Sequence, residues 1–201
     1  MKAICITCDP DGDRYKATRD HLQEGGLNVE PFRGFNNRTA GLRTDHTYDV
    51  DHPGTNYRIA GPTIGIAMSH WMVWRAMTIW PDDAVLVFED DARWGPDGPG
   101  RLKTAIESLP HDWDVLYTGS CCAEDKPKDF IANGVYRLRY PMCTHSYAIR
   151  KKAAYTMLDR HDRMWAPVDL SMIMDVYQKT ELNVFTVLPR VFEQHATVIH
   201  P

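Results

Sequence analysis

Apolar residues fall in short runs bounded by polar turns, and these runs alternate with stretches of helical spacing. Residues 2–8 are nearly continuously apolar and predict a buried strand. Asp11-Gly12-Asp13 reads as a turn, followed by a helix over about residues 14–24 that Gly25-Gly26 stops. A short strand is predicted over residues 27–32. Residues 33–60 show no periodicity, are punctuated by Gly34, Gly41, Pro53 and Gly54, and read as a long loop. Gly61-Pro62 opens the clearest helix, with Ile64, Ala67, Met68, Trp71, Trp74 and Thr78 on one stripe, and Pro81-Asp82-Asp83 ends it. Ala84-Val85-Leu86-Val87-Phe88 is a continuous apolar run, as expected of a central strand covered on both faces. Further on, helices are predicted over about 101–109, 151–161 and 169–177. Strands are predicted over 113–117, 135–139, 145–149 and 184–188, with a polar loop over 123–133 and a tail over 189–201. Strand–helix–strand alternation predicts an α/β fold with a largely parallel central sheet, and no linker divides residues 1–201 into two domains.

Composition narrows the function classes. The chain has 201 residues, with 23 Lys and Arg against 27 Asp and Glu, a net charge of −4 that argues against nucleic acid as a partner. No apolar run reaches the roughly 18 residues of a membrane span. The start, Met1-Lys2-Ala3-Ile4, lacks a leader-like apolar segment, so a cytoplasmic protein beginning near Met1 is expected. Five cysteines are too few for a disulfide scaffold. Cys5 and Cys8 are three apart on a strand and point to opposite faces, and the vicinal pair Cys121-Cys122 is expected to be reduced.

Three groups of residues carry candidate chemistry. Glu89-Asp90-Asp91 follows the buried run directly, and three adjacent acids at a strand end need a positive partner. In extended backbone Glu89 and Asp91 share a side, an arrangement suited to Mg²⁺ or Mn²⁺; a solvated acidic turn is the plainer alternative. Ser69-His70 lies mid-helix, either as a satisfied core pair or as donors to a phosphate or sugar. His195, in the tail, is a candidate third metal ligand or simply exposed. Asp169 is either a helix-start carboxylate or a general base on a pocket rim.

Gly61, Ile64-Gly65, Ser69-His70 and Trp74, followed by Val85-Leu86-Val87-Phe88-Glu89-Asp90-Asp91, resemble the signature of the family 25 glycosyltransferases, the lipopolysaccharide-type and collagen-type β-galactosyltransferases. Asp114 to Gly119, Ser146-Tyr147-Ala148-Ile149 with Ala153-Ala154, Pro167-Val168-Asp169 and Gln194 resemble later family markers. The sequence departs from the family at Ile6-Thr7-Cys8, where Ile-Asn-Leu is usual, and after Gln194, where Ser gives way to His195 and residues 196–200.

The resemblance implies a GT-A-like nucleotide-binding fold and metal-dependent, inverting transfer of galactose or a similar hexose from a UDP-sugar to a hydroxyl of a glycan or protein. It implies Mn²⁺ or Mg²⁺ on Glu89 and Asp91, to which His195 is added as third ligand from the residues alone, and substrate contacts are expected from Thr7, Arg14, Gly65, Ser69, His70, Asp90 and Gln194. Asp169 is the candidate base. Inversion needs one in-line attack and one base, with no covalent enzyme intermediate. The loop over 33–60, with Arg38, Arg43 and Arg58, is expected to cover the donor. A metal-dependent phosphohydrolase and a non-catalytic nucleotide-sugar-binding module remain as alternative classes.

Overall fold

The computed structural model describes residues 1–37, 39–43, 47–52, 55–121, 123, 128–138, 140–161 and 165–195. Arg38, Cys122 and residues 196–200 therefore lie outside the described residues. In chain order the strands are β1 (Lys2–Thr7), β2 (Glu30–Arg33), β3 (Thr47–His52), β4 (Thr55–Ala60), β5 (Ala84–Glu89), β6 (Ala92–Trp94), β7 (Val115–Tyr117), β8 (Lys128–Ala132), β9 (Val135–Leu138), β10 (Ser146–Arg150), β11 (Val184–Val187) and β12 (Phe192–Gln194). The helices are α1 (Asp13–Glu24), α2 (Gly61–Met77), α3 (Gly98–Ser108), α4 (Lys151–Arg160) and α5 (Val168–Ser171), which runs on as a π-helical turn over Met172–Tyr177.

Eight strands form the main sheet in the order β2-β1-β5-β10-β7-β11-β9-β8. The pairings make β1, β2, β5, β7, β8 and β11 run one way, six of the eight, with β9 and β10 opposed. The expected mostly parallel α/β sheet is therefore present, with two reversed strands inserted.

Strand alternation divides the core in two. Ile4, Ile6, Val85, Val87, Tyr147 and Ile149 point to one face, where α2, α4 and the α5–π segment cover them. Ala3, Cys5, Leu86, Phe88 and Ala148 point to the other, against Tyr15 and Leu22 of α1 and Leu102 and Ala105 of α3. Both faces are covered, which is why β5 reads as an unbroken apolar run. No helix of the described residues is long and apolar enough to cross a membrane.

The sequence expectations need correction in four places. Residues 47–52 and 55–60 pair as antiparallel strands, with Thr47 opposite Ala60 and His52 opposite Thr55. The polar stretch expected as a loop includes β8, paired with β9. The tail contributes β12, antiparallel to β6. The buried stripe of α2 consists of Ala67, His70, Val73, Trp74 and Met77, while Ile64, Met68 and Trp71 are only half-buried. The stripe is rotated because His70 and Ser69 are inside: their polar atoms are paired, so burial does not leave them unsatisfied.

A candidate active site at the end of the central strand

The carboxyl ends of β1 and β5 open into a cavity of about 630 Å³. Thr7, Arg14, Gly65, Ser69, His70, Glu89, Asp90, Asp91 and Gln194 all line it. Every substrate-side residue singled out in the sequence thus meets in one place, together with Glu89 and Asp91. A smaller cavity of about 190 Å³ adjoins it and shares Ile66, Glu89 and Gln194; Asp169 lies on its wall with Thr144 and Cys143. Ile66 stands 44% exposed at the junction of the two.

Local structure explains the convergence. The backbone N–H of Glu89 donates to the His145 carbonyl at 3.0 Å, so the β5–β10 ladder persists to the strand end and brings Thr144 alongside. Thr144 Oγ1 donates to Glu89 Oε1 at 2.7 Å, and His70 Nε2 lies 3.2 Å from the same oxygen. On the far side of the imidazole, Nδ1 is 2.9 Å from the Tyr147 hydroxyl, which also accepts from Trp74 Nε1 at 3.1 Å. The Tyr147 hydrogen is then left to donate to Nδ1. This pattern assigns the His70 hydrogen to Nε2, facing Glu89. His70 is thus both a satisfied core residue and a wall of the site.

Burial, the largest single influence, pushes the Glu89 carboxyl up, but the hydrogen bonds it accepts from His70 and Thr144 outweigh it and hold Glu89 below its ordinary value. A lowered carboxyl value means that folding favours the ionised form. The contribution is therefore full above the unfolded value of 4.5 and is lost as pH falls through the lower folded value. Glu89→Gln removes that contribution, and its melting temperature is expected to fall less steeply than the wild type's below pH 4.5, as differential scanning calorimetry would show.

The two aspartates are held from α1 and from the tail. Arg14 and Thr18, one helical turn apart, both face them. Arg14 Nε lies 2.6 Å from Asp90 Oδ1, Arg14 Nη2 lies 3.1 Å from Asp91 Oδ2, and Thr18 Oγ1 donates to the Asp90 carbonyl at 2.6 Å. The β6–β12 register sets Gln194 opposite Ala92, and Gln194 Nε2 donates to Asp91 Oδ2 at 3.0 Å. His195 meets Asp91 through its backbone N–H, 2.8 Å from the carbonyl, and its side chain is exposed. Gln194, not His195, is the tail side chain that reaches the acids. Among the described residues Glu89, Asp91 and His195 do not form a three-ligand cluster.

One oxygen is left over. Asp91 is 7% exposed, and its Oδ1 is buried with no hydrogen-bond partner. Burial, foremost, and the neighbouring Asp91 and Glu89 charges raise the Asp90 carboxyl, with Arg14 only partly opposing them. Asp90 is therefore ionised at a cost: the folded state binds its proton more tightly than the unfolded chain does, and stability is lost as pH rises through the raised value. Asp90→Asn is expected to leave the stability at pH 7 unchanged or to raise it by less than about 1 kcal/mol, as a thermal melt would show. A marked fall would show that the Arg14 pair outweighs burial.

Several lining residues carry no signal in the sequence. Phe35, Asn36 and Asn37 reach the cavity from the segment after β2. Ser69 fastens that segment, accepting from the Phe35 N–H at 2.9 Å and donating to the Gly65 carbonyl at 2.7 Å. Gly65 lets the Asn37 side chain lie against the helix: a Cβ there would stand 2.1 Å from Asn37 Oδ1 and push the amide aside. Arg43 and Arg58 are exposed and do not line the cavity. Asp169 holds the segment before β10, accepting from the Cys143 N–H at 2.9 Å.

No protein-family model matches the chain. In sequence it is 27% identical over 176 residues to the inactive glycosyltransferase 25 family member 3 of Homo sapiens; the match covers 83% of this chain. It spans 30% of that relative's length. In structure it is similar to a glycosyltransferase involved in glycosylation of the major capsid of PBCV-1, with a TM-score of 0.57 at 12% identity, covering 98% of this chain and 93% of the other. A protein of STIV gives a TM-score of 0.50 at 7% identity, covering 100% and 97%. The chain thus has the fold of a GT-A glycosyltransferase and is similar in sequence to a member of the glycosyltransferase 25 family.

Proposed function

We propose that the chain is a metal-dependent, inverting glycosyltransferase domain that takes a sugar from a UDP-sugar and passes it to a hydroxyl of a glycan or protein acceptor. The observation that carries this reading is the orphaned, buried Asp91 Oδ1. Asp91 itself lines a cavity together with the carboxylates of Asp9, Glu89 and Asp90, against the single guanidinium of Arg14. Such a cavity repels a diphosphate unless a cation accompanies it. The carboxylates of Asp91 and Glu89 offer hard oxygen ligands suited to Mn²⁺ or Mg²⁺. Bound there, the ion would neutralise charge on the leaving diphosphate.

The chain's own residues divide the remaining work. His70, fixed by Tyr147, keeps Glu89 ionised and oriented. Arg14 supplies the fixed positive charge beside the diphosphate position, and Gln194 orients Asp91. The smaller cavity, reached past Ile66, supplies room for an acceptor. Asp169 on its wall is placed to receive the acceptor's hydroxyl proton, which a single-displacement reaction requires.

Incubation with UDP-sugars and Mn²⁺ while measuring UDP release and sugar transfer tests this reading. Metal-dependent UDP release, with transfer or slow hydrolysis, is the expected result. Asp169→Asn should lower turnover by about a hundredfold or more with UDP binding little changed. The name of the human relative favours a second reading, a nucleotide-sugar-binding domain without turnover. Tight metal-dependent UDP binding with no release from any UDP-sugar would establish it. A phosphohydrolase is less well supported, because no acidic three-ligand cluster is present among the described residues.

A further inference from the structure

A second constellation of ligand-type side chains adjoins the smaller cavity, beside Glu89 and Asp169. Cys121 and Cys143 form a disulfide with Cα atoms 5.6 Å apart, in contrast to the reduced thiols expected from the sequence. The two Sγ atoms and a ring nitrogen of His145 all lie within 4.8 Å of one another, the one such three-residue cluster among the described residues. Cys5 is buried and Cys8, just past the end of β1, is exposed, and both are free thiols.

The state of His145 points to a ligand. Its Nε2 lies 3.3 Å from the Phe192 carbonyl, which can only accept, so Nε2 carries the hydrogen. Nδ1 is then a bare lone pair, and it is buried without a partner in a residue 1% exposed. A disulfide has no hydrogen to give it. An imidazole held through one N–H on a backbone carbonyl, with the other nitrogen left as a lone pair, has the arrangement of a metal-binding histidine. The ring is seated against Gly119, where a Cβ would stand 2.3 Å from Nε2.

We propose that Cys121, Cys143 and His145 form a thiol-gated site for a soft divalent ion, Zn²⁺, that opens when the disulfide is reduced. A dithiol reductant supplies two electrons and two hydrogens; the S–S bond breaks, both cysteines become thiols, and the reductant becomes a disulfide. Zn²⁺ then replaces the two thiol protons, which pass to water, and bonds to both sulfurs and to the imidazole, leaving a fourth position open. Disulfide and metal both fasten residue 121 to residue 143. Only the reduced, metal-free chain releases the segment whose Cys143 N–H and Thr144 hydroxyl meet Asp169 and Glu89. The proposal does not depend on the glycosyl-transfer reading.

Cobalt titration of the whole chain tests it. After reduction with a phosphine, Co²⁺ is expected to bind with a thiolate-to-cobalt charge-transfer band that Zn²⁺ abolishes, while the oxidised protein gives none. His145→Asn should weaken Co²⁺ binding by at least about tenfold, the cost of losing even an outer-shell partner. Cys143→Ser should remove the band, and Cys121→Ala serves where the Cys143 variant does not fold. Asp91→Asn should leave the band intact, which separates this site from the carboxylate cleft. No band in the reduced wild type, or a band that persists in Cys121→Ser/Cys143→Ser, overturns the proposal.

Discussion

Replacing Asp91 by asparagine is expected to weaken Mn²⁺-dependent UDP binding by about a hundredfold or more in a protein that still folds. Asn keeps the shape of the side chain and one acceptor oxygen for Arg14 and Gln194, so the β6–β12 closure can persist. It loses the negative charge that the Asp91 carboxylate offers a cation in the cleft. Titration calorimetry with UDP, with and without Mn²⁺, reads the loss, and a thermal melt checks the fold. Metal-dependent binding as tight as the wild type's would place the ion elsewhere and remove the central reading of the cleft.

The largest stability effect is expected at Trp74. Its indole is fully buried in the α2 face of the core, packs edge-on against His161 at 5.4 Å between ring centroids, and donates to Tyr147. Trp74→Ala should cost about 3–5 kcal/mol, a fall of roughly 6–20 °C in melting temperature for a domain of this size. The loss has two sources: a cavity between helix and sheet, and a tyrosine oxygen deprived of its donor. Trp74→Phe keeps most of the volume and should recover most of the stability. With the indole donor gone, it isolates the contribution of the polar chain that runs through Tyr147 and His70 to Glu89. A calorimetric loss of less than about 1 kcal/mol for the alanine variant would mean that this part of the core repacks freely.

These two residues also show what the sequence makes legible. β5 could be read because a strand covered on both faces needs no alternation, and its acids stood out against the apolar run before them. The stripe puts Trp74 on the buried side of α2 but leaves out His70, which the sequence offers as a satisfied core residue without showing what satisfies it: its partners stand 19 and 77 positions away. Periodicity cannot register a polar residue satisfied by distant chain. β6 and β12 escaped for a different reason: three residues are too few to show a period, and their pairing is decided by register across the fold. The β3–β4 pairing was hidden by polar composition. The partner of Cys121 lies 22 residues on, beyond any local signal.

The β6–β12 pairing sets an order of events during synthesis. Gln194 follows Asp91 by 103 residues, so at about 5–20 residues per second it leaves the ribosome roughly 5–20 s later. Through that interval α1 can already bring Arg14 to the acids, but the strand that roofs Asp91 does not yet exist. The nascent chain therefore carries its carboxylate cluster open to water and to ions, and the cleft acquires its final shape only when the last strand docks.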